Sequence, residues 1–294
     1  MRLAVLPTAD GPRLALGLPD DWLVRLDRVV PDAPTDTFAL LDLPDRDKLA
    51  GRAREALERP ALREALRAAG ELRHVDDGPL AVPLTRTGKA ICLALNYQAH
   101  AQEGGFTPPE RPVIFLKGPN SLCGHGQEVV VPPVSRRIDH EGELAVVVGR
   151  RSRGLTAESW RGAVAGYTIM NDLTARDLQL ADIAQQHPWD FTKSFDSYGP
   201  TGPFLLTPDE VPDPQSLEVS VRVDGEVRQH GSTSAMIFGV ADLLCYISAV
   251  MTLEPGDVIA TGTPDGIGPL RDGATAEVTI GPLGTLRNRI RFET

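Results

Sequence analysis

The chain of 294 residues has little of what marks a secreted or membrane-embedded protein. Its cysteines number only 3, with no CxxC spacing, so we expect reduced thiols in a cytoplasmic protein rather than a disulfide framework. No apolar run approaches the roughly 20 residues that a membrane span requires. We expect no signal peptide, because the apolar stretch at the start ends at Pro7.

Positively charged residues are fewer than negatively charged ones. The chain carries 30 Lys and Arg against 40 Asp and Glu, which gives a formal net charge of -10. This balance argues against nucleic acid or an anionic membrane as a partner. A small anionic substrate would therefore need a metal ion or a few local cations. Only 4 of the basic residues are lysines, so the position of each lysine is informative.

The chain divides by pattern into two parts. Residues 1–80 combine short apolar segments with helical periodicity over 45–70, where Pro60 is expected to begin a second helix. They predict a small α+β N-terminal domain. Residues 84–294 contain many short strands separated by Gly and Pro, with one long helix over 235–251. This spacing favours a mixed β fold of the β-roll or β-sandwich type, with few helices, over alternating βα units.

Carboxylates gather in the stretch IDHEGELAVVVG, residues 138–149. Its apolar tail predicts a buried strand, and if the strand extends back through the acidic part, Asp139, Glu141 and Glu143 share one face. Asp172 follows the end of another apolar strand, where ligands are often presented. Oxygen donors alone select Mg²⁺, Mn²⁺ or Ca²⁺ over zinc. The alternatives are a solvated sheet face for the glutamates and a helix cap for the aspartate.

Two further segments carry candidate catalytic residues. If residues 97–103 form a helical turn, His100 and Glu103 share one face, where the carboxylate can orient the imidazole as a general base for water. A Gly-Gly pair would end this helix before a Pro-rich segment that suggests a movable lid. Lys193 lies in an aromatic loop that could deliver an ammonium to an anionic ligand. The alternatives are an exposed His–Glu pair and a solvent-facing lysine.

These segments, taken in order, resemble the fumarylacetoacetate hydrolase family over about residues 84–294. The small bacterial acylpyruvate or fumarylpyruvate hydrolases and 2-oxo-heptenedioate isomerases are the members they resemble. The matching motifs are NYxxH (96–100), FLKGPNS (115–121), DxExEL (139–144), NDLTARDLQ (171–179), KSFD (193–196) and MTLEPGDVIATGTPDGIG (251–268).

The resemblance implies a β-roll homodimer that binds Mg²⁺ or Mn²⁺ through Glu141, Glu143 and Asp172. The cation would offset the repulsion between the clustered carboxylates. The resemblance also implies that His100 and Glu103 form the dyad of a lid. Three positions match residues that contact a small 2-oxo acid substrate in relatives: Lys193, Gln179 and Thr263.

Two positions depart from the family pattern. His140 stands where many relatives have an aromatic residue, and strand alternation turns it away from the carboxylates, so we expect consequences for packing only. Asn96 lies in the region where larger animal-type relatives have an additional metal-ligating aspartate. The resemblance therefore implies a metal site with three protein ligands.

The activity that the resemblance implies is hydrolysis of a carbon–carbon bond in a 2,4-dioxo acid, of the acylpyruvate or fumarylpyruvate type. The metal would stabilise an enolate, His100 held by Glu103 would activate water, and Lys193 and Gln179 would stabilise the oxyanion. The same site would also serve decarboxylation of oxaloacetate, or isomerisation or hydration of a 2-oxo-alkenedioate. Ureidoglycolate lyase chemistry and a non-catalytic role are further alternatives.

Overall fold

The computed structural model describes residues 1–293, and the first 80 of them form four short strands and four helices. The fourth helix begins at Pro60, where a residue without a backbone N–H leaves no intrahelical hydrogen bond unmade. The elements of this part are β1 (Arg2–Leu6), β2 (Arg13–Gly17), β3 (Trp22–Arg25), α1 (Leu26–Val29), α2 (Thr37–Leu41), α3 (Arg46–Leu57), α4 (Pro60–Ala68) and β4 (Leu72–His74).

The rest of the described chain is mainly strand. Its strands are β5 (Ala90–Ala94), β6 (Val113–Lys117), β7 (Leu122–Cys123), β8 (Val129–Val131), β9 (Ile138–His140), β10 (Gly142–Val148), β11 (Val164–Asn171), β12 (Thr174–Ala175), β13 (Gly199–Leu206), β14 (Glu218–Val223), β15 (Glu226–Ser232), β16 (Val258–Ala260), β17 (Gly268–Leu270), β18 (Thr275–Ile280) and β19 (Thr285–Phe292). Its helices are α5 (Gln98–Glu103), α6 (Arg176–Ala184), α7 (Asp190–Lys193) and α8 (Val240–Val250).

The largest sheet runs through both parts of the chain. Its 11 strands follow the order β4-β3-β2-β1-β13-β11-β10-β16-β5-β6, with β7 beside β13. The N-terminal strands join it because β1 pairs antiparallel with β13, with Leu3 opposite Leu205. The other sheets have the orders β15-β14-β18-β19-β8 and β12-β9-β17. This architecture confirms the predicted mixed β fold with few helices, whereas a domain boundary near residue 80 stays a prediction.

Strand β10 lies inside the large sheet, between β11 and β16, and all of its residues are buried. A strand that is covered on both faces requires apolar side chains on both, which explains the run LAVVV. The acidic stretch does not continue this strand without a break, because β9 belongs to the small sheet and ends before Glu141. Glu141 therefore lies where the chain passes from one sheet to the other.

Helix α8 is shorter than the apolar periodicity over 235–251 predicts. Residues Thr233–Ala235 form a separate 3-10 turn, and Gly239 has the extended backbone of an N-cap. The Gly239 N–H donates to the Asp242 carboxylate at 3.0 Å, which fixes the start of the helix at Val240. None of the helices within residues 1–293 is long and apolar enough to cross a membrane.

Acidification is expected to destabilise the protein through His125, a buried residue between the N-terminal part and β19. Its Nδ1 accepts a hydrogen bond of 3.2 Å from the backbone N–H of Arg287, and burial lowers its pKa although Asp76 opposes this. Below about pH 6.5 the His125 imidazole therefore binds a proton in the unfolded chain. In the folded protein it stays neutral until the pH reaches its lower pKa. Within that window stability falls by at most about 1.4 kcal/mol per pH unit.

Urea denaturation of wild type and of His125→Asn between about pH 5 and about pH 7 measures this contribution. Asparagine keeps an acceptor for the Arg287 N–H but does not titrate, so the variant should have a flatter pH profile. His187→Asn is the matched control, because the His187 side chain is 58% exposed. Equal slopes in wild type and His125→Asn would assign the acid sensitivity to other groups.

Candidate active site

Three buried carboxylates meet at one end of the large sheet. Glu143 lies in β10, Glu141 directly before it, and Asp172 directly after β11. These strands pair antiparallel with Gly142 opposite Asn171, so the start of one lies beside the end of the other. One oxygen of each carboxylate lies within 4.8 Å of the others. The cluster is buried, which excludes the alternative that the two glutamates lie on a solvated sheet face. The helix after Asp172 begins only at Arg176, which excludes the alternative that Asp172 caps it.

A backbone loop fixes the carboxylate of Glu143. The N–H of Gly262 donates to Glu143 Oε2 at 2.7 Å. Gly262 has a φ of 93°, and a Cβ at this position would lie 2.8 Å from the Cβ of Asn96, so the loop requires glycine. The Asn96 amide donates to the backbone oxygens of Thr261 and Phe238. Asn96 therefore supports the loop.

Two buried lysines and one arginine compensate the acidic charge. Lys193 Nζ lies 2.8 Å from both Glu141 Oε2 and Asp172 Oδ2, and Lys117 Nζ lies 2.7 Å from Asp172 Oδ1. Burial alone would raise the pKa of Glu141, but Lys193 and Arg176 outweigh it and hold that pKa below its ordinary value. Lys193 is the last residue of α7 and is buried, so it is not a solvent-facing lysine.

Among the residues that the structure describes, Glu143 differs from Glu141 and Asp172 in having no cationic partner. Within residues 1–293 no ion pair involves Glu143, and burial together with Asp172 and Glu141 raises its pKa well above the ordinary value. A further positive charge beside Glu143 would relieve this cost. The oxygen-only donor set and its spacing fit a hard divalent cation such as Mg²⁺ or Mn²⁺.

Arg176 connects the cluster to a neighbouring helix. Its guanidinium contacts Glu141, lies 3.0 Å from Asp139, and donates to the side-chain oxygen of Gln179. Arg137 pairs with the other oxygen of Asp139 at 2.9 Å, so this buried aspartate is held by two arginines. Asp139 therefore orients Arg176 and is not a member of the carboxylate cluster.

No role was predicted from the sequence for Lys117 or Arg176, which both contact the carboxylate cluster. Lys117 ends an apolar strand and is one of only 4 lysines, and Arg176 follows Asp172 by four residues within NDLTARDLQ. Both lie inside motifs that carry the family resemblance. Their positions were therefore visible, but their contacts with the carboxylates depend on strand pairing that the sequence does not display.

His100 and Glu103 lie on α5 and line a cavity that Glu141 and Glu143 also line. His100 Nδ1 is 3.4 Å from Glu103 Oε2, and both oxygens of Glu103 accept from the Gly266 N–H at 3.1 and 3.2 Å. Leu95, at the turn from β5 towards α5, has a φ of 57°, which is strained for a bulky residue. Glu103 thus fastens the helix to the loop after β16 and holds His100 beside the cavity.

Glu141, Glu143, Lys193, His100 and Glu103 line one cavity of about 470 Å³. Thr263 and Gln179 both line it. The Thr263 hydroxyl donates to the Gly142 oxygen at 2.9 Å and accepts from Gln229 Nε2 at 2.8 Å, so it is already committed within the protein. Gln179 gives its oxygen to Arg176, which leaves its amide group for a ligand. His140 packs on Gln229, with Nδ1 at 3.0 Å from Oε1.

The fold and this cavity define a class of mainly β proteins in which buried carboxylates that could hold a divalent cation lie near a helix that carries a His–Glu pair. Residues 89–291 match the family described as Fumarylacetoacetate (FAA) hydrolase C-terminal, so the chain belongs to the fumarylacetoacetate hydrolase family. Members of this family are enzymes that act as hydrolases, isomerases or tautomerases, and they bind divalent metals. The predicted family is thereby confirmed.

Three relatives illustrate the range of the family. A human mitochondrial oxaloacetate tautomerase is 40% identical over 215 residues, which are 71% of this chain and 68% of the relative. A 2-hydroxyhepta-2,4-diene-1,7-dioate isomerase from Mycobacterium marinum is 31% identical with a TM-score of 0.75, covering 100% of this chain and 99% of that one. A fumarylpyruvate hydrolase from Pseudomonas aeruginosa, solved with Mn²⁺ and pyruvate, is 33% identical with a TM-score of 0.68 over 72% of this chain and 91% of that one.

Proposed function

We propose that the protein hydrolyses a carbon–carbon bond in a 2,4-dioxo acid to give pyruvate and a carboxylic acid. The observation that carries the proposal is that two members of a buried carboxylate triad, Glu141 and Glu143, line the same cavity as the His100–Glu103 pair. The triad is suited to a divalent cation and the pair to a water molecule. The Pseudomonas aeruginosa relative, which bears the name fumarylpyruvate hydrolase, supports a reaction of this type.

The cation would be Mg²⁺ or Mn²⁺, held by Glu141, Glu143 and Asp172, and when bound it would act as a Lewis acid towards the 2-oxo acid end of the substrate. His100 takes a proton from water, while Glu103 holds the imidazole in orientation. The water oxygen bonds to the distal carbonyl carbon, the bond from that carbon to the pyruvyl methylene breaks, and a proton reaches the methylene to give pyruvate.

Lys193 acts mainly through its charge. Its ammonium lies near three oxygens, two of them carboxylate oxygens at 2.8 Å and the third the Asp172 carbonyl at 3.4 Å. An ammonium has three donors, so a direct contact with the substrate would replace the longest of these. The Gln179 amide is the less committed donor for a developing oxyanion.

The proposal is tested by release of pyruvate from acylpyruvates, using protein stripped with a chelator and then loaded with Mg²⁺ or Mn²⁺. His100→Ala should lower kcat by about 100-fold to 10,000-fold, the usual contribution of a general base. Mn²⁺ affinity should stay close to wild type, because His100 is not among the three candidate ligands. Gln102→Ala, on the same helix, is the matched control and should retain activity.

Full activity in His100→Ala would remove this histidine as the base. Pyruvate release that does not depend on added metal after complete stripping would count against the carboxylate triad as the cation site.

Keto–enol tautomerisation of oxaloacetate is the second candidate, favoured by the 40% identity with the human tautomerase. It would use the same carboxylates and needs no water attack, so the His100–Glu103 pair favours hydrolysis. Interconversion of oxaloacetate tautomers without pyruvate release from any acylpyruvate would establish the second candidate and overturn the first.

A further inference from the structure

The wall of the cavity changes from polar to apolar along α6. Four residues of this helix line the cavity, and they are spaced as one helical face: Arg176, Gln179, Leu180 and Ile183. Arg176 contacts the carboxylate of Glu141, which marks the end where the cation site lies. At a rise of about 1.5 Å per residue, Leu180 lies about 6 Å and Ile183 about 10 Å further along the helix axis.

Other elements complete this apolar wall. Phe106 follows α5, Val113 lies at the start of β6, and Trp189 precedes α7. Phe106 is 45% exposed and Leu180 is 53% exposed, although both are large apolar side chains that line a cavity. Exposed apolar side chains that face a common space indicate a surface for an apolar ligand.

The cations that line the cavity are already engaged. Besides His100, the basic residues within 1–293 that line the cavity are Arg137, Arg176 and Lys193. Each of these three forms an ion pair with a carboxylate that also lines the cavity. Arg137, whose side chain is 48% exposed, is the least enclosed of them. A negative charge on the far part of a substrate would therefore lie among leucine, isoleucine and aromatic side chains, where burial of a carboxylate is costly.

We propose that this wall, formed by Phe106, Val113, Leu180, Ile183 and Trp189, selects an uncharged apolar acyl group. The substrate class is then an alkanoylpyruvate or aroylpyruvate, rather than a dicarboxylic acid such as fumarylpyruvate or oxaloacetate. This inference rests on the proposed function, because it assumes that the 2-oxo acid end of the substrate occupies the carboxylate end of the cavity.

The first test compares kcat/KM of the Mn²⁺-loaded protein for acetyl-, butanoyl-, hexanoyl- and benzoylpyruvate with that for fumarylpyruvate. The value should rise by about fourfold for each added methylene until the wall is covered. The best apolar substrate should exceed fumarylpyruvate by at least about tenfold. An equal or higher value for fumarylpyruvate overturns the proposal, and loss of that preference in Arg137→Ala would identify Arg137 as the distal carboxylate ligand.

Ile183→Arg places a cation in the wall and should lower kcat/KM for hexanoylpyruvate while raising it for fumarylpyruvate. Val250→Arg is the matched control, because Val250 is 62% exposed at the end of another helix and does not line the cavity. It should leave both values unchanged. Unaltered selectivity in a folded Ile183→Arg protein, judged by its circular dichroism, would contradict the role of this wall.

A binding measurement separates this inference from the proposed reaction. Calorimetry of the Mn²⁺-loaded protein compares the binding affinities of 2-oxooctanoate and 2-oxoadipate. Neither compound has the 4-oxo group that the proposed cleavage requires. Tighter binding of 2-oxooctanoate supports the apolar wall even if no acylpyruvate is hydrolysed, in which case only the proposed reaction fails. Tighter binding of 2-oxoadipate overturns the wall, whatever the reaction.

Discussion

Glu143→Gln is expected to lower metal-dependent turnover by about a thousandfold or more, since the Lewis acid contributes several kcal/mol and each 1.36 kcal/mol is about tenfold. The variant removes one of three carboxylates whose oxygens lie within 4.8 Å of one another. It should nevertheless be as stable as the wild type without metal. The glutamine oxygen can still accept the Gly262 N–H, and the substitution removes a carboxyl group whose charged form is disfavoured by burial and by the carboxylates of Asp172 and Glu141.

Two measurements check this expectation. Isothermal titration calorimetry gives the Mn²⁺ affinity, and urea denaturation of the chelator-treated protein gives its stability without metal. The matched control is Glu141→Gln, which should also lose Mn²⁺ affinity but should be less stable without metal. Its carboxylate is a partner of both Lys193 and Arg176, so the substitution leaves each of these cations with one carboxylate partner fewer. Wild-type Mn²⁺ affinity in Glu143→Gln would exclude Glu143 as a ligand.

The strands of the fold were predictable because their composition is local information. The β-branched run of β10 and the apolar segments at β5, β11 and β18 appear in the sequence at nearly their observed bounds. The sheet order was not predictable, since β16 pairs in parallel with β5, which precedes it by more than 150 residues. Nothing in residues 1–80 reveals that β1 would pair with β13.

The acidic triad was predictable for a different reason. Strand alternation predicted that Glu141 and Glu143 share a face, and the end of another strand suggested Asp172. The strand is broken before Gly142, but Glu141 directly precedes β10 and its carboxylate still lies near that of Glu143. The compensating charges were not predictable, because Lys117 and Lys193 reach the cluster from separate elements, β6 and α7. Ion pairs between distant segments depend on packing, so the scarcity of lysine and the motifs FLKGPNS and KSFD indicated the two positions but not their contacts.

Lys117→Met is expected to lower the free energy of unfolding of the metal-free protein by about 3 kcal/mol, the lower end for a broken buried ion pair. Lys117 is fully buried, and its ammonium lies 2.7 Å from Asp172 Oδ1 and 3.1 Å from the Leu173 carbonyl. Methionine fills similar space but leaves both oxygens without this donor. The loss stays at the lower end because Lys193 still pairs with Asp172.

Urea denaturation of the chelator-treated protein measures this loss, with Lys48→Met as the control at an exposed lysine, where a change within about 0.5 kcal/mol is expected. The double variant Lys117→Met with Asp172→Asn should be more stable than Lys117→Met alone, because it removes a buried carboxylate that has lost one of its two cations, while Lys193 keeps its pair with Glu141. Saturating Mn²⁺ should restore part of the loss in Lys117→Met, since the ion replaces the missing positive charge beside Asp172. A loss below about 1 kcal/mol, with no coupling to Asp172→Asn, would mean that the carboxylates remain buried without help from Lys117.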